Sequence, residues 1–219
     1  MARLHFIRRG QASFGADEYD VLSPRGHDQA RHLAQNLPQP YHLISGAMRR
    51  HVETVTPFGT APEDARWNEI DYLDVIAAYR PELDSIAALR KAVADAPNPH
   101  RAFQDIYEAA TNRWASGTYD SDYTESRSTF RARVRDALVD VVAKLEKPDT
   151  AYVVTSGGPI VAIVQDALGL SEDATRGIEK TLVNCGVTTL SVRSGASHLI
   201  SLNEHLHLGA IDANLITYR

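Results

Sequence analysis

Leu4-His5-Phe6-Ile7 is a short apolar run ending in charge and glycine, the pattern of a strand buried in a parallel sheet. After a turn-rich stretch, Ser23-Pro24 supplies a hydroxyl N-cap and a proline for the first turn of a helix. Ala30, Leu33, Ala34 and Leu37 then share one helical face, and Pro38 ends the helix. Tyr41 to Ser45 predicts a second strand, with a helix beginning near Met48 and a short third strand at Ala65-Arg66-Trp67. From about Pro81 to Lys147 the pattern is helical with interruptions at Pro97-Asn98-Pro99 and Gly117-Thr118-Tyr119-Asp120. Asp122 with Glu125 predicts a capping box, after which Phe130, Val134, Leu138, Val141 and Leu145 form a seam at helical spacing. Ala151 to Thr155 predicts a buried strand that Gly157-Gly158-Pro159 turns into the helix Ile160 to Leu168. Val187 to Val192 and His198 to Leu202 close the chain as two strands paired through Ser194-Gly195.

Strands alternating with helices predict an α/β fold in three layers, α/β/α, with a mainly parallel sheet flanked by helices. No internal repeat or linker divides the 219 residues, so a single domain over 1–219 is expected. Residues 80–147 would be a helical insertion, or lid, over the C-terminal edge of the sheet.

Composition narrows the partners. The apolar fraction of 43% and charged fraction of 23% are ordinary for a globular protein. A net charge of −5 with no basic block argues against nucleic acid. No stretch approaches the roughly 20 apolar residues that span a bilayer, and the first 15 residues read as strand rather than as a signal peptide. The single cysteine, Cys185, fits a reducing compartment, so a cytoplasmic location is expected and Cys185 is expected to pack inside. A homodimer is compatible with the sequence, which names no surface for one.

In open parallel sheets ligands sit beyond the carboxyl ends of the strands. Arg8-Arg9-Gly10, Arg49 and Ser156-Gly157-Gly158 all fall at such ends. Glycines let a backbone approach a ligand, the following helix offers free N–H groups, and arginines offer forks matched to phosphate oxygens. Each signal alone is weak, since strand-Gly-Gly-helix is common punctuation and most surface arginines are solvated. Their convergence on one edge predicts a site for a phosphate-sized anion.

Four elements carry a resemblance: Leu4 to Gly15 (LHFIRRGQASFG), Ser45-Gly46-Ala47-Met48-Arg49, Trp67-Asn68-Glu69-Ile70-Asp71, and Val153 to Pro159. In order and spacing, over nearly the whole chain, the sequence resembles the histidine phosphatase, or phosphoglycerate-mutase-like, superfamily. The resemblance implies that Arg8 and Arg49 clamp the phosphoryl group, with Gln11, Ser13 and Gly157 beside it. Glu69 matches the general acid that protonates the leaving oxygen. No metal and no cofactor are implied, and the ligand would be a phosphorylated or other anionic small molecule.

Two positions depart from the family pattern. Arg9 stands where the nucleophilic histidine is expected and Ser156 where the second, phosphate-contacting histidine is expected. Some branches carry Ser-Gly-Gly in the closing motif, so Arg9 is the serious departure. A guanidinium stays protonated and has no free lone pair, so it cannot attack phosphorus. Phosphohistidine-dependent hydrolysis is therefore expected to be absent or severely impaired, with anion binding kept, as in a pseudoenzyme. Two alternatives stay open: an active phosphatase or mutase-family enzyme, or another hydrolase, that uses Glu69 and bound water in the same pocket, and a phosphatase inactivated by an engineered or accidental His-to-Arg change at position 9.

Other candidates are fewer. His5 shares the parity of Arg9, but four residues of strand at about 3.3 Å each put it roughly 13 Å away, as a core or sheet histidine. His51, two residues after Arg49, is expected to point off the other side of its helix into solvent, and is the first candidate for a substitute nucleophile. Ser156 would need a base beside it to attack phosphorus, and none is evident from the sequence. His205 and His207 have a spacing that occasionally binds metal, without carboxylates or cysteines to support it. Of the aromatic residues in the helical stretch (Tyr107, Trp114, Tyr119 and Tyr123), Trp114 is expected in the core.

Overall fold

Seven residues of apolar-rich chain open the sheet at its centre, where Leu4, Phe6 and Ile7 lose all contact with solvent. The computed structural model describes residues 1–13, 20–193 and 196–218. The chain runs β1 (Ala2–Arg8), α1 (Pro24–Asn36), β2 (His42–Ser45), α2 (Arg49–Val55), α3 (Tyr72–Tyr79), α4 (Ile86–Ala94) and α5 (Pro99–Ala115). It continues through α6 (Arg127–Lys144), β3 (Thr150–Thr155), α7 (Gly157–Leu168), α8 (Glu172–Thr181), β4 (Val187–Arg193), β5 (Ala196–Glu204) and α9 (Leu206–Gly209).

The strands form one sheet in the order β2-β3-β1-β4-β5. β2, β3 and β1 are parallel, which is the expected centre of an α/β fold. β4 joins β1 antiparallel and β5 joins β4 antiparallel, so the expected terminal pair is present. Its turn at Ser194-Gly195 lies outside the described residues. Alternation along the strands divides the core between two faces. Ile7, Tyr152, Val154 and Val187 pack with Ala30 and Leu33 of α1, Val55 of α2 and Leu208 of α9. On the opposite face Phe6 meets Trp67 at 5.6 Å between ring centres, and α7 packs on β1 and β5.

Local chemistry sets the element ends. The Ser23 hydroxyl accepts the Gly26 N–H at 3.0 Å with Pro24 in the first turn, a cap worth about 1 kcal/mol. Two expectations need correcting. Ala65–Trp67 is one turn of 3-10 helix, not a strand: the Asp64 carboxylate caps it by accepting the Arg66 N–H at 2.9 Å. A short acidic side chain competing for backbone donors favours such a turn over a sheet ladder. The start of α6 is capped by Ser126, whose hydroxyl accepts the Thr129 N–H at 3.1 Å. Asp122 and Glu125 are engaged by Arg113 and Arg133 instead. Along α6, Phe130, Val134, Ala137 and Val141 are buried, while Leu138 and Leu145 of the expected seam are only half-buried.

The chain divides into two compact units, residues 1–69 with 134 onward, and Ile70–Arg133. The first contains the whole sheet. In the second, α5 packs on α3 and α4, and Trp114 is buried as expected, edge-on to Phe130 with its indole N–H on the Glu125 carbonyl at 2.8 Å. No described helix is long and apolar enough to cross a membrane.

Candidate anion site and its histidine

Arg8 is paired with Thr155 in the parallel ladder, so the residues that follow β1 and β3 leave the sheet at one edge, side by side. Ser45 pairs with Val154, which brings Gly46 out beside them. Hydrogen bonds to its main-chain groups hold the Arg8-Arg9-Gly10 turn. The Arg9 N–H donates to the Thr155 carbonyl at 2.8 Å, the Cys185 N–H to the Arg8 carbonyl at 2.9 Å, and the Gly10 N–H to Thr54 Oγ1 at 3.0 Å. A Cβ on Gly10 would lie 2.6 Å from the Gly26 carbonyl oxygen, and one on Gly26 2.2 Å from that of Gln11. Only two glycines let the turn and the start of α1 come so close.

Three guanidiniums are buried at this edge. Arg8 donates to the Leu182 carbonyl, Arg9 Nη1 to the Gly10 carbonyl at 3.0 Å, and Arg50 Nη1 to Asp20 Oδ1 at 2.7 Å. Arg8, Arg9 and Arg50 are 6%, 8% and 5% exposed. Arg49, the expected clamp, is not brought to them. Its side chain is 56% exposed and its Nε donates to Glu53 Oε1 at 3.0 Å. Successive residues diverge by about 100° around a helix, so only one of two adjacent arginines can face the sheet. The inward one is Arg50, on the buried face with His51, Thr54 and Val55.

His51 overturns the expectation of a solvated side chain: it is fully buried, with Nε2 2.7 Å from Ser156 Oγ. A Cβ on Gly46 would sit 2.2 Å from its Nδ1, so the ring occupies space that exists because residue 46 is glycine. Burial holds the imidazole well below its ordinary titration range, and the charges of Arg50 and Arg9 push the same way. His51 is therefore a neutral base candidate in contact with a hydroxyl.

Ser156 is the N-cap residue of α7, yet its hydroxyl makes no cap bond. Glu69 takes that part: its Oε2 accepts the Gly158 N–H at 2.9 Å, a favourable place for a carboxylate. A Cβ on Gly158 would collide with Glu69 Oε1 at 2.0 Å. Gly157 opens α7 beside Arg8, whose Nε is 3.8 Å from where a Gly157 Cβ would be. Gln11 and Ser13 brace the loop: Gln11 Oε1 accepts the Ser23 hydroxyl at 3.0 Å, and the Ser13 hydroxyl donates to the Leu22 carbonyl at 3.1 Å. Gly15 lies outside the described residues.

Of the remaining candidates, His5 sits in β1 against Thr189 Oγ1 at 2.9 Å and edge-on to Tyr152, as a sheet histidine should. His205 bonds the Asn203 carbonyl and His207 the Cys185 carbonyl. Cys185 is buried as expected; desolvation pushes its thiol up to about 12 despite the opposing charges of Arg9 and Arg8, which leaves it unreactive. No three His, Cys, Asp or Glu among the described residues are grouped to hold a metal ion. The sequence reading missed Arg50, Thr54 and Asn184, whose Nδ2 donates to the Arg9 carbonyl at 3.2 Å. The signal for Arg50 was available in the apolar Val55, which fixes the inward face of α2 through positions 50, 51 and 54.

The sequence profile of the histidine phosphatase superfamily (branch 1) matches residues 5–205. No curated protein sequence matches significantly. Among solved structures, a phosphoserine phosphatase mutant from Entamoeba histolytica in complex with phosphoserine superposes with a TM-score of 0.66 at 20% identity. It covers 95% of this chain and 100% of that one. A mycobacterial glucosyl-3-phosphoglycerate phosphatase in complex with inorganic phosphate gives 0.63 at 24% identity, covering 94% of this chain and 99% of the other. At such identities the likeness is one of fold.

Proposed function

Because this chain belongs to branch 1 of the histidine phosphatase superfamily, we propose that it binds a phosphomonoester among Arg8, Arg9 and Arg50 and lacks the phosphohistidine route. The observation that carries this reading is the buried Arg9 guanidinium at the place where the resemblance expects the nucleophilic histidine. Three fixed positive charges favour a dianion in its ground state, and binding of that kind does not by itself accelerate a reaction. Arg50 takes the clamping part first given to Arg49. The phosphoserine and phosphate bound by the structural relatives support a phosphorylated small molecule as the ligand. Glu69, which the resemblance gives as the acid, accepts the Gly158 N–H at the start of α7, and this nearness to Ser156 supports its part in the reading.

Two measurements on the folded protein test the proposal. Calorimetry with inorganic phosphate should detect binding that Arg50→Ala weakens. Hydrolysis of p-nitrophenyl phosphate should be far slower for this chain than for its Arg9→His variant. Equal rates would sink the account of position 9; undiminished binding by Arg50→Ala would sink the pocket.

A further inference from the structure

We propose that Ser156 and His51 form a nucleophile–base pair that cleaves phosphomonoesters through a phosphoserine intermediate. The inference rests on the anion-site reading above and gives that site a chemistry of its own.

Activating a serine takes a base within hydrogen-bond reach of its hydroxyl, and His51 Nε2 lies 2.7 Å from Ser156 Oγ. The pair is built rather than incidental. Ser156 stands at the N-cap of a 12-residue helix, where a serine hydroxyl ordinarily accepts a backbone N–H. Here the hydroxyl turns to His51, and the Glu69 carboxylate accepts the Gly158 N–H in its stead. The ring in turn has its seat because Gly46 lacks a Cβ. The sharp passage from β3 through Ser156 into α7 sets the oxygen at the positive end of the helix, next to the turn that carries Arg8 and Arg9.

The electrostatics suit the resting state. Burial, Arg50 and Arg9 keep the imidazole neutral, which is the form that can take a proton. A phosphate dianion held by the arginines would then offset the charge that appears on the ring. Accepting at Nε2 puts the remaining proton on Nδ1, which has no hydrogen-bond partner among the described residues. The pair is thus a dyad without the third group that orients the base in faster enzymes, and slow turnover is expected.

The Ser156 Oγ–phosphorus bond forms while the bond from phosphorus to the leaving oxygen breaks, and the hydroxyl proton passes to His51 Nε2. An alkyl leaving oxygen takes a proton from Glu69 in its acid form, whereas a nitrophenolate leaves without one. Water then attacks phosphorus and gives its proton to the Glu69 carboxylate, which is left by donation to an alkyl oxygen and is present from the start in the molecules that turn over a nitrophenyl ester. The Oγ–phosphorus bond breaks, His51 returns its proton to Oγ, and phosphate departs.

Phosphoserine survives acid and phosphohistidine does not, so the route can be read chemically. The full chain and its Glu69→Gln variant, in which the second step is slowed, are incubated with p-nitrophenyl phosphate, quenched in acid and mapped by mass spectrometry. The expected result is an acid-stable phosphate on Ser156, absent from Ser156→Ala. Release of p-nitrophenol should fall to background in Ser156→Ala and by about 10²- to 10⁴-fold in His51→Gln, with inorganic phosphate still bound by both in calorimetry. Unchanged release by Ser156→Ala, or no acid-stable phosphate on Ser156 in the Glu69→Gln protein, overturns the dyad while leaving the anion site standing. Failure of the parent chain to bind phosphate overturns both.

Discussion

Two neighbouring strand ends solve opposite problems. β1 finishes in Arg8-Arg9, charges that cannot give up a proton and cannot attack anything. β3 finishes in Ser156, an uncharged hydroxyl with the neutral ring of His51 upon it. They sit side by side in one ladder, Arg8 opposite Thr155. In a phosphohistidine enzyme the first strand end would carry both the grip and the nucleophile. On the proposed reading the grip stays at β1, and among the described residues the hydroxyl–imidazole contact beside that grip is at β3, so holding an anion and attacking it should be separable by mutation.

The largest effect expected comes from collapsing that separation. Arg9→His returns a lone pair to the β1 end and should raise p-nitrophenyl phosphate turnover by several orders of magnitude. Loss of a nucleophile in other enzymes costs up to about 10⁶. Steady-state kinetics of the two proteins at equal folded concentration measures it.

Next is the grip itself. Arg50→Ala removes a buried charge-assisted contact worth about 1.5–3 kcal/mol, which predicts a roughly 10- to 100-fold loss of phosphate affinity by calorimetry. Arg49→Ala, beside it in sequence but turned to Glu53, should change affinity by less than a factor of about three and stability by under about 1 kcal/mol.

The β3 end can be disturbed without touching either of its reactive groups. Gly46→Ala drives a methyl into the His51 ring and should lower stability by about 1–3 kcal/mol in urea unfolding, with the ring displaced from Ser156. Comparable stability of the two proteins would mean that the ring has other room.

The smallest expected effect is a pH slope. His51 titrates below its ordinary 6.5 in the folded chain, so the unfolded chain takes up the proton first as pH falls. Stability should therefore be independent of this residue above about pH 7.5 and decline below 6.5, by up to about 1.4 kcal/mol per pH unit. His5 and His207 are shifted in the same direction and add to the slope. Unfolding curves at pH 7.5, 6.5 and 5.5 for the parent and His51→Gln separate the contributions; an equal slope in both would remove His51 from the account.

Sequence carried the sheet well, because buried strands such as Ala151 to Thr155 and the glycine turn after them follow from local pattern alone. It failed where one tertiary contact outweighs local preference. Ala65–Trp67 has the look of a strand, yet the Asp64 cap curls it and the sheet face accepts Trp67 from a turn. Within α2, two arginines and a histidine in a row gave no apolar stripe from which to orient the helix. The choice between Arg49 and Arg50 and the inward turn of His51 depended on Thr54 and Val55, one turn later. The imidazole that meets Ser156 lies 105 residues away in the chain, a pairing that no spacing rule could announce. The resemblance directed attention to Glu69 and Arg9 and carried no role for His51.

The turn at Arg8-Arg9-Gly10 is fastened through its own N–H and carbonyl groups, by Thr155, Cys185, Thr54 and Asn184, and by the close approach of two glycines, while the side chain of Arg9 adds one bond, to the Gly10 carbonyl. In evolutionary terms, position 9 is a socket. One base change converts a histidine codon to an arginine codon or back, so on the proposed reading a lineage could gain or lose the phosphohistidine route while the backbone of the turn stays as it is. Selection would then act on what the socket holds, and Gly10 and Gly26 would be the positions at which drift is forbidden.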